Sequence, residues 1–425
     1  MSLSRNFYDL NEVQAALLYT SSYGNCDEAI FWCKELINSG CVGETISVLF
    51  QSWLWHSGPY RLQWLIDAWN KLRSEELTEQ DILLATYQLC KISSSERDNS
   101  LWTILVLGSK DTECVNCPDR VTHKTPLQWT KYCDSNNKGM NNEINTYFIR
   151  AIYQGKARSA WWISRYMADD KVWELLEWFS AQVYSKYADK YNTCLKALKG
   201  YGELLGYESE EYNKIILCAA ILMFCIQPII QTKSFSPESD RVDDMYLRDL
   251  DKRQYSIPLS CLYGTTRRGC MKWGQSTICD LYDIEKSLCV KGCPFWEQEL
   301  EQYATVNETS IEWKSDEDME KFYDTYFPND IPDEWTKKEK EKSHGCGVLG
   351  PNEKINIKKY SFNYLSDKSR LAWNCTKEVS DILETYDIPD CSLEKIIGYY
   401  KPMYFDSLTQ DDITKLNPVK KIKRI

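Results

Sequence analysis

Histidine is nearly absent from this chain. His56, His123 and His344 are the only three in 425 residues, which leaves few general bases for proton transfer at neutral pH. The compact catalytic signatures are missing as well. There is no H-E-x-x-H helix for metal-assisted hydrolysis, no G-x-S-x-G elbow and no deaminase pairing of H-x-E with P-C-x-x-C. No glycine-rich loop ends in Gly-Lys-Ser/Thr to cradle a nucleotide phosphate. The sequence therefore reads as a binding protein more readily than a catalyst, with an enzyme of unfamiliar active site as the remaining class.

Long hydrophobic runs are lacking too. The longest, IILCAAILMFCI over Ile215 to Ile226, would cover roughly 18 Å as a helix against a bilayer core of ~30 Å. It reads as a buried helix, so no membrane association is expected. The first residues, Met1-Ser-Leu-Ser-Arg-Asn-Phe-Tyr-Asp, contain no apolar signal stretch. We therefore expect an intracellular, reducing location and read the 18 cysteines as thiols, not as a disulfide framework. Cys33, Cys90, Cys218 and Cys225 sit among helical apolar residues, where a thiol behaves as a small hydrophobe.

What the chain holds in quantity is aromatic surface and carboxylate. Its 16 Trp and 28 Tyr suit helix–helix interfaces or partner surfaces. Its net charge of −11 is concentrated: residues 297–341 carry fifteen Asp/Glu against five Lys/Arg, whereas 342–425 carry eleven against fourteen. The last stretch, Pro418-Val-Lys-Lys-Ile-Lys-Arg-Ile425, is basic. Such a chain will not coat a duplex non-specifically, because counterion release needs a positive face. It leaves room for a local basic site.

Helical punctuation dominates the first half. Asn25 with Glu28 forms a capping-box pattern ahead of Ala29, Trp32, Cys33, Leu36 and Ile37, and Gly40 supplies a stop. Further helices are expected from Thr78, over 171–199 (Val172, Leu175, Leu176, Phe179, Val183) and over 211–227, ended by Pro228. There is also a hint of duplication. Tyr23-Gly24, with Ala29-Ile-Phe-Trp32 beginning five residues after the glycine, resembles Gln154-Gly155 with Ala160-Trp-Trp-Ile163. Residues 231–254 are polar and mark a boundary. Residues 255–296, with Pro258, Gly264, Gly269, Gly274, Gly292 and Pro294, suggest irregular structure with a short hairpin. Short helices, such as Asp333 to Lys342, follow.

Four groups of residues are chemical candidates. Cys114-Val-Asn-Cys117 with His123 and Cys133 could complete a zinc tetrahedron, although the second pair is not closely spaced as structural zinc sites usually are. Cys261, Cys270, Cys279, Cys289 and Cys293 offer a second thiol cluster whose only close pair is Cys289 and Cys293. Arg267-Arg268 with Lys272, between Gly264 and Gly269, could present guanidinium forks to a phosphate, or could simply be a solvated turn. Gly345-Cys-Gly-Val-Leu-Gly350 matches G-x-G-x-x-G but follows a Lys/Glu-rich helix and runs into Pro351, the wrong setting for a dinucleotide site.

Three phrases resemble an uncharacterised helical family of nucleocytoplasmic large DNA viruses. They are Asp27-Glu-Ala-Ile-Phe-Trp-Cys-Lys-Glu-Leu-Ile-Asn-Ser-Gly40, Ser260-Cys-Leu-Tyr-Gly-Thr-Thr-Arg-Arg-Gly269, and Asp330-Ile-Pro-Asp-Glu-Trp through Lys342-Ser-His-Gly345. The first is also similar, over about thirty residues, to the helical C-terminal domain of clamp-loader-like AAA+ ATPases. The viral resemblance implies a host cytoplasm or nucleus, a viral factory or a virion as the setting. It implies no activity.

The expectation is therefore a mainly α protein. A helical array spans 1–230, with 1–140 and 141–230 as its related halves. A polar linker (231–254) then leads to a smaller α-plus-irregular module (255–425). Its function is expected to be that of a non-enzymatic scaffold with protein partners, in viral DNA replication, late gene expression or particle assembly. The alternative is a nucleic-acid-associated accessory using Arg267, Arg268, Lys272 and the basic tail. Cofactors are not expected, except zinc.

Overall fold

A helix can turn back on itself within three residues when one of them adopts positive φ, and glycine does so at little cost. Gly24 (φ 75°), Gly40 (φ 81°) and Gly155 (φ 67°) each do this. At Gly24 the amides of Gly24 and Asn25 return to the carbonyls of Ser21 and Thr20; at Gly155 those of Gly155 and Lys156 return to Ile152 and Ala151. Both are Schellman corners, and both join a pair of closely packed helices.

The computed structural model describes residues 3–226, Leu288 and 292–326. Breaks in it fall at 94–99, 112–117, 123–140 and 205–209, with shorter ones of one or two residues. The described residues are mainly α-helical. The first five helices are α1 (Leu10–Ser22), α2 (Cys26–Asn38), α3 (Val42–Ser52, prolonged by a π turn over Trp53–Ser57), α4 (Leu62–Leu72) and α5 (Glu79–Ser93). After α6 (Ser100–Asp111) come α7 (Asn141–Tyr153), α8 (Ala157–Ser164), α9 (Asp169–Val183), a 3-10 turn (Ser185–Tyr187), α10 (Ala188–Leu204) and α11 (Glu210–Ile226).

Helices α1–α5 and α7–α11 share one packing scheme. In each set the first two helices form the glycine hairpin and the fifth packs on the first, second, third and fourth. An offset of 131 residues superposes Gly24 on Gly155, buried Ala29 on buried Ala160, and Asn11-Glu12-Val13 on Asn142-Glu143-Ile144. The same offset takes Glu79, first residue of α5, to Glu210, first residue of α11. The two units meet through corresponding helices, α4 against α10, while α6 packs on α8 and α11.

Tryptophan on glycine closes these joints. A Cβ added to helical Gly200 would lie 1.9 Å from the Trp69 indole, and one on Gly108 would lie 2.6 Å from that of Trp161. Tyr201 continues the first joint, stacked on Phe50 at 4.3 Å and edge-on to Trp69 at 5.3 Å. The apolar run behaves as expected: Ile215 to Cys225 are all buried, in α11. No described helix is long and apolar enough to cross a membrane.

Two local expectations change. The capping box at Asn25 does not form, because the Asn25 amide that Glu28 would accept from is already bonded to the Thr20 carbonyl in the corner. Instead Asn25 Nδ2 donates to Glu28 Oε2 (2.8 Å) and Trp32 Nε1 to Glu28 Oε1 (3.2 Å). A capping box does form at Thr78, whose Oγ1 accepts from the Asp81 amide while Asp81 Oδ2 accepts from the Thr78 amide. The expected 171–199 helix breaks at Tyr184 (φ −108°, ψ 35°). The Tyr184 ring there stacks on Tyr191 at 4.7 Å, and the break lets α10 turn onto α4.

The acidic segment is also folded in part. Pro294–Tyr303 forms α12, Ala304–Val306 and Ile311–Trp313 form an antiparallel hairpin (β1, β2), and Asp316–Tyr326 forms α13. Phe322 lies fully buried in this module, edge-on to Trp296 and packed against Trp313. The hairpin lies beyond the 255–296 stretch where the sequence suggested one. The module docks on the first unit. Trp296 Nε1 donates to the Ser4 carbonyl (2.9 Å), the Phe295 amide to Ser39 O (3.2 Å), and Pro294 fills the space where a side chain at Gly40 would go. Buried Glu35 fixes the N-terminal strand between them, accepting from Ser4 Oγ (2.5 Å), the Asn6 amide (2.8 Å) and Asn6 Nδ2 (2.6 Å). The expected linker (231–254) and the helix at Asp333 to Lys342 lie outside the described residues.

These joints predict opposite signs for the same substitution at two glycines. Gly200→Ala should destabilise by about 1–3 kcal/mol through overpacking against Trp69. Gly43→Ala, exposed in α3 with nothing within 4 Å of its added methyl, should be neutral or stabilise by up to about 1 kcal/mol. Chemical denaturation of the two variants checks the pair; equal effects would refute the Trp69 joint.

Candidate functional site

The sequence candidates lie almost wholly outside the described residues. This holds for Cys114, Cys117, His123 and Cys133, for Arg267, Arg268 and Lys272, and for Gly345 to Gly350. Of the second thiol cluster only Cys293 is described. It is buried, and its thiol donates to the Ser39 carbonyl at 3.5 Å. Among the described residues no group of His, Cys, Asp and Glu is arranged to hold a metal ion.

The described surface instead singles out the corner between α7 and α8. Residues 144–168 contain Arg150, Lys156, Arg158 and Arg165 and no carboxylate. The matching window of the first unit, 13–37, contains Lys34 against Asp27, Glu28 and Glu35. At equivalent places Lys156 stands for Asn25 and Arg158 for Asp27. Both corners adopt the same backbone, so folding does not require the positive charge.

Helical spacing gathers these residues onto one surface. On α7, Tyr147, Arg150 and Tyr153 recur every three residues and are half-buried or exposed, between buried Phe148, Ile149, Ala151 and Ile152. On α8 and just beyond it, half-buried Arg158 and Trp162 and exposed Arg165 continue the surface. Trp162 is edge-on to Tyr147 (6.2 Å) and to Tyr166 (5.6 Å). The Arg165 guanidinium lies 5.5 Å from the Trp162 ring centroid and 5.2 Å from that of Tyr166, within cation–π range. Tyr153 and Tyr166 are 38% and 55% exposed, unusually open for rings of that size.

A short strap, 118–122, is tied across this corner by two side chains that each bond both ways to one residue's backbone. Gln154 Oε1 accepts from the Thr122 amide (2.9 Å), and its Nε2 donates to the Thr122 carbonyl (2.7 Å). Ser159 Oγ accepts from the Asp119 amide (3.2 Å) and donates to the Asp119 carbonyl (3.4 Å). The first unit has Tyr23 and Glu28 at these places; an ionised Glu28 carboxylate has no proton to donate to a carbonyl. The strap adds exposed Arg120 to the corner and brings Asp119 with it.

Behind the corner, Gly155 rests on the end of α11. A Cβ at this position would lie 3.1 Å from the Cys225 carbonyl. The C-terminal end of a helix carries partial negative charge, which favours nearby cations. The surface can therefore hold anions with its fixed cations and flat groups with its exposed rings. The sequence contained a signal for it, the run without carboxylates over 144–168, but its contrast with 13–37 emerges only when the two stretches are compared at an offset of 131 residues.

Comparison of the chain with protein-family models, with curated protein sequences and with solved structures yields no match.

Proposed function

We propose that this chain is a binding scaffold, built from two versions of one five-helix unit, whose α7–α8 corner receives an anionic partner. The observation that carries the reading is the reversal of charge between equivalent corners of one backbone geometry. A residue needed only for folding would be expected to keep its character in both copies; these do not, and four cations have gathered where the first copy holds three carboxylates and a lysine.

The buried thiols among the described residues are not poised for nucleophilic chemistry. Burial pushes Cys33, Cys41 and Cys194 up to about 12 and Cys293 up to about 11. A thiol with a raised pKa is protonated at neutral pH and is a poor nucleophile. In native protein at neutral pH, brief iodoacetamide treatment should leave Cys33, Cys41, Cys194 and Cys293 unmodified by peptide mapping. Alkylation of any of them as fast as in the unfolded chain would count against this reading.

The corner itself is tested by retention on immobilised heparin. The intact chain should be retained despite its net charge of −11, and the double variant Lys156→Asn, Arg158→Asp should elute at clearly lower salt. Those residues occupy the same places at the first corner, so the fold tolerates them; thermal melting verifies this. Elution at an unchanged salt concentration would sink the proposal.

A further inference from the structure

The exposed rings say more about the partner than the charges do. Cations alone serve any polyanion, whether duplex, acidic peptide or charged lipid. A duplex hides its base faces in the stack, so it offers nothing flat to an exposed tyrosine. A membrane surface draws on Trp, Phe and Leu at an interfacial helix face, whereas the large side chains most open here are Tyr153 and Tyr166. A single strand offers phosphates and unstacked bases together, and proteins hold it by pairing a positive track with aromatic platforms.

We infer that the α7–α8 corner binds single-stranded nucleic acid. This deepens the anion-binding reading above and rests on it. Arg150, Lys156 and Arg158 contact phosphates, and bases stack on Tyr153 and Tyr166. Arg165, held between Trp162 and Tyr166 at 5.5 and 5.2 Å, presents its planar guanidinium edge to a phosphate while its face stays on the rings. The described docking bonds of the acidic module run to Ser4 and Ser39, on the first unit, while exposed Glu143 and Asp170 flank the carboxylate-free window. Asp119 is the carboxylate that the strap brings to the corner, and its backbone is bonded to Ser159.

The test is fluorescence anisotropy of labelled oligothymidylate and oligouridylate titrated with the full chain at two salt concentrations. The same strands annealed into blunt duplex, and polyglutamate, serve as competitors. Binding should weaken as salt rises, and the duplex and polyglutamate should compete poorly. Lys156→Asn, Arg158→Asp should reduce affinity about tenfold or more and flatten the salt dependence, by about 0.7 in log–log slope per lost phosphate contact. Tyr166→Ala should reduce affinity by about fivefold or more without flattening it, the signature of lost stacking. Tyr187→Ala, at an exposed ring on another turn, should change nothing. Should Tyr166→Ala disturb folding, Tyr153→Ala carries the same expectation.

Three results would overturn the inference: no binding of either strand at low salt, equal competition by duplex or polyglutamate, or tyrosine variants indistinguishable from the intact chain. Corner-dependent retention on heparin together with any of these would leave the anion-binding scaffold standing and remove only the single strand. Loss of that dependence would remove both.

Discussion

A left-handed residue at a helix end fixes where the next helix must go. In this chain that constraint is applied at Gly24 and again at Gly155. Each corner satisfies two carbonyls left over at the helix terminus with the first two amides beyond it. The following helix is thereby held against its predecessor before any distant contact is made. The fifth helix of each unit then closes on this hairpin. Replacing either glycine with a residue bearing a Cβ would strain the corner, and at Gly155 the added atom would also crowd the Cys225 carbonyl. Closure of the unit and orientation of the corner surface therefore rest on the same backbone angle.

The joints of α4 with α10 and of α6 with α8 depend on the opposite use of glycine. Gly108 and Gly200 lie within helices and have no need of positive φ; they are small because an indole occupies the adjacent space. Trp69 and Trp161 gain a flat backbone surface to cover. Loss of helix propensity at a glycine, about 1 kcal/mol relative to alanine, is offset by ring burial of larger magnitude. The Tyr201–Phe50 stack extends the first joint into the core, where Phe50, Trp53 and Trp64 are all fully buried. Among the described residues much of the aromatic content is buried here and in the docked module, and Tyr23, Tyr153, Tyr166 and Tyr187 are the exposed rings.

Helix positions were legible where periodicity was strong. The stripes at Ala29 to Ile37 and at Val172 to Phe179, and the apolar run from Ile215, lie in α2, α9 and α11. Boundaries failed where a backbone group had two possible partners. Asn25 looked like a capping box, but its amide could bond only once and the corner took it. Tyr184 carried no breaker residue; at the end of α9 its ring stacks on Tyr191 and packs against Phe179 and Phe224. The hairpin at 304–313 was hidden by its setting: β-branched and aromatic residues alternate there, inside a segment whose charge suggested a solvated surface. The corner surface was missed for a different reason. Arg150, Lys156, Arg158 and Arg165 are six, two and seven residues apart and form no local motif, and the sequence alone does not show that Gly155 folds the two helices' surfaces onto one face.

The shared packing scheme also explains how the fold tolerates such a surface. In the first unit the α1 positions matching Tyr147 and Tyr153 are Ala16 and Ser22, both buried, so packing restricts them to small side chains. In the second unit the corresponding helix face is partly open, and large rings fit at no packing cost. Lys156 and Arg158 change only side chains, which make no contribution to the Schellman bonds, formed by main-chain atoms alone. Gln154 and Ser159 then recruit 118–122 chiefly through its backbone groups, with Thr122 Oγ1 also donating to Gln154 Oε1 (3.2 Å). The first corner, burdened with Asp27 and Glu28 and with packing on every side of α1, has no comparable freedom. What distinguishes the two copies is therefore the share of each hairpin that the core requires, and the chemistry at the surface follows from what the core leaves over.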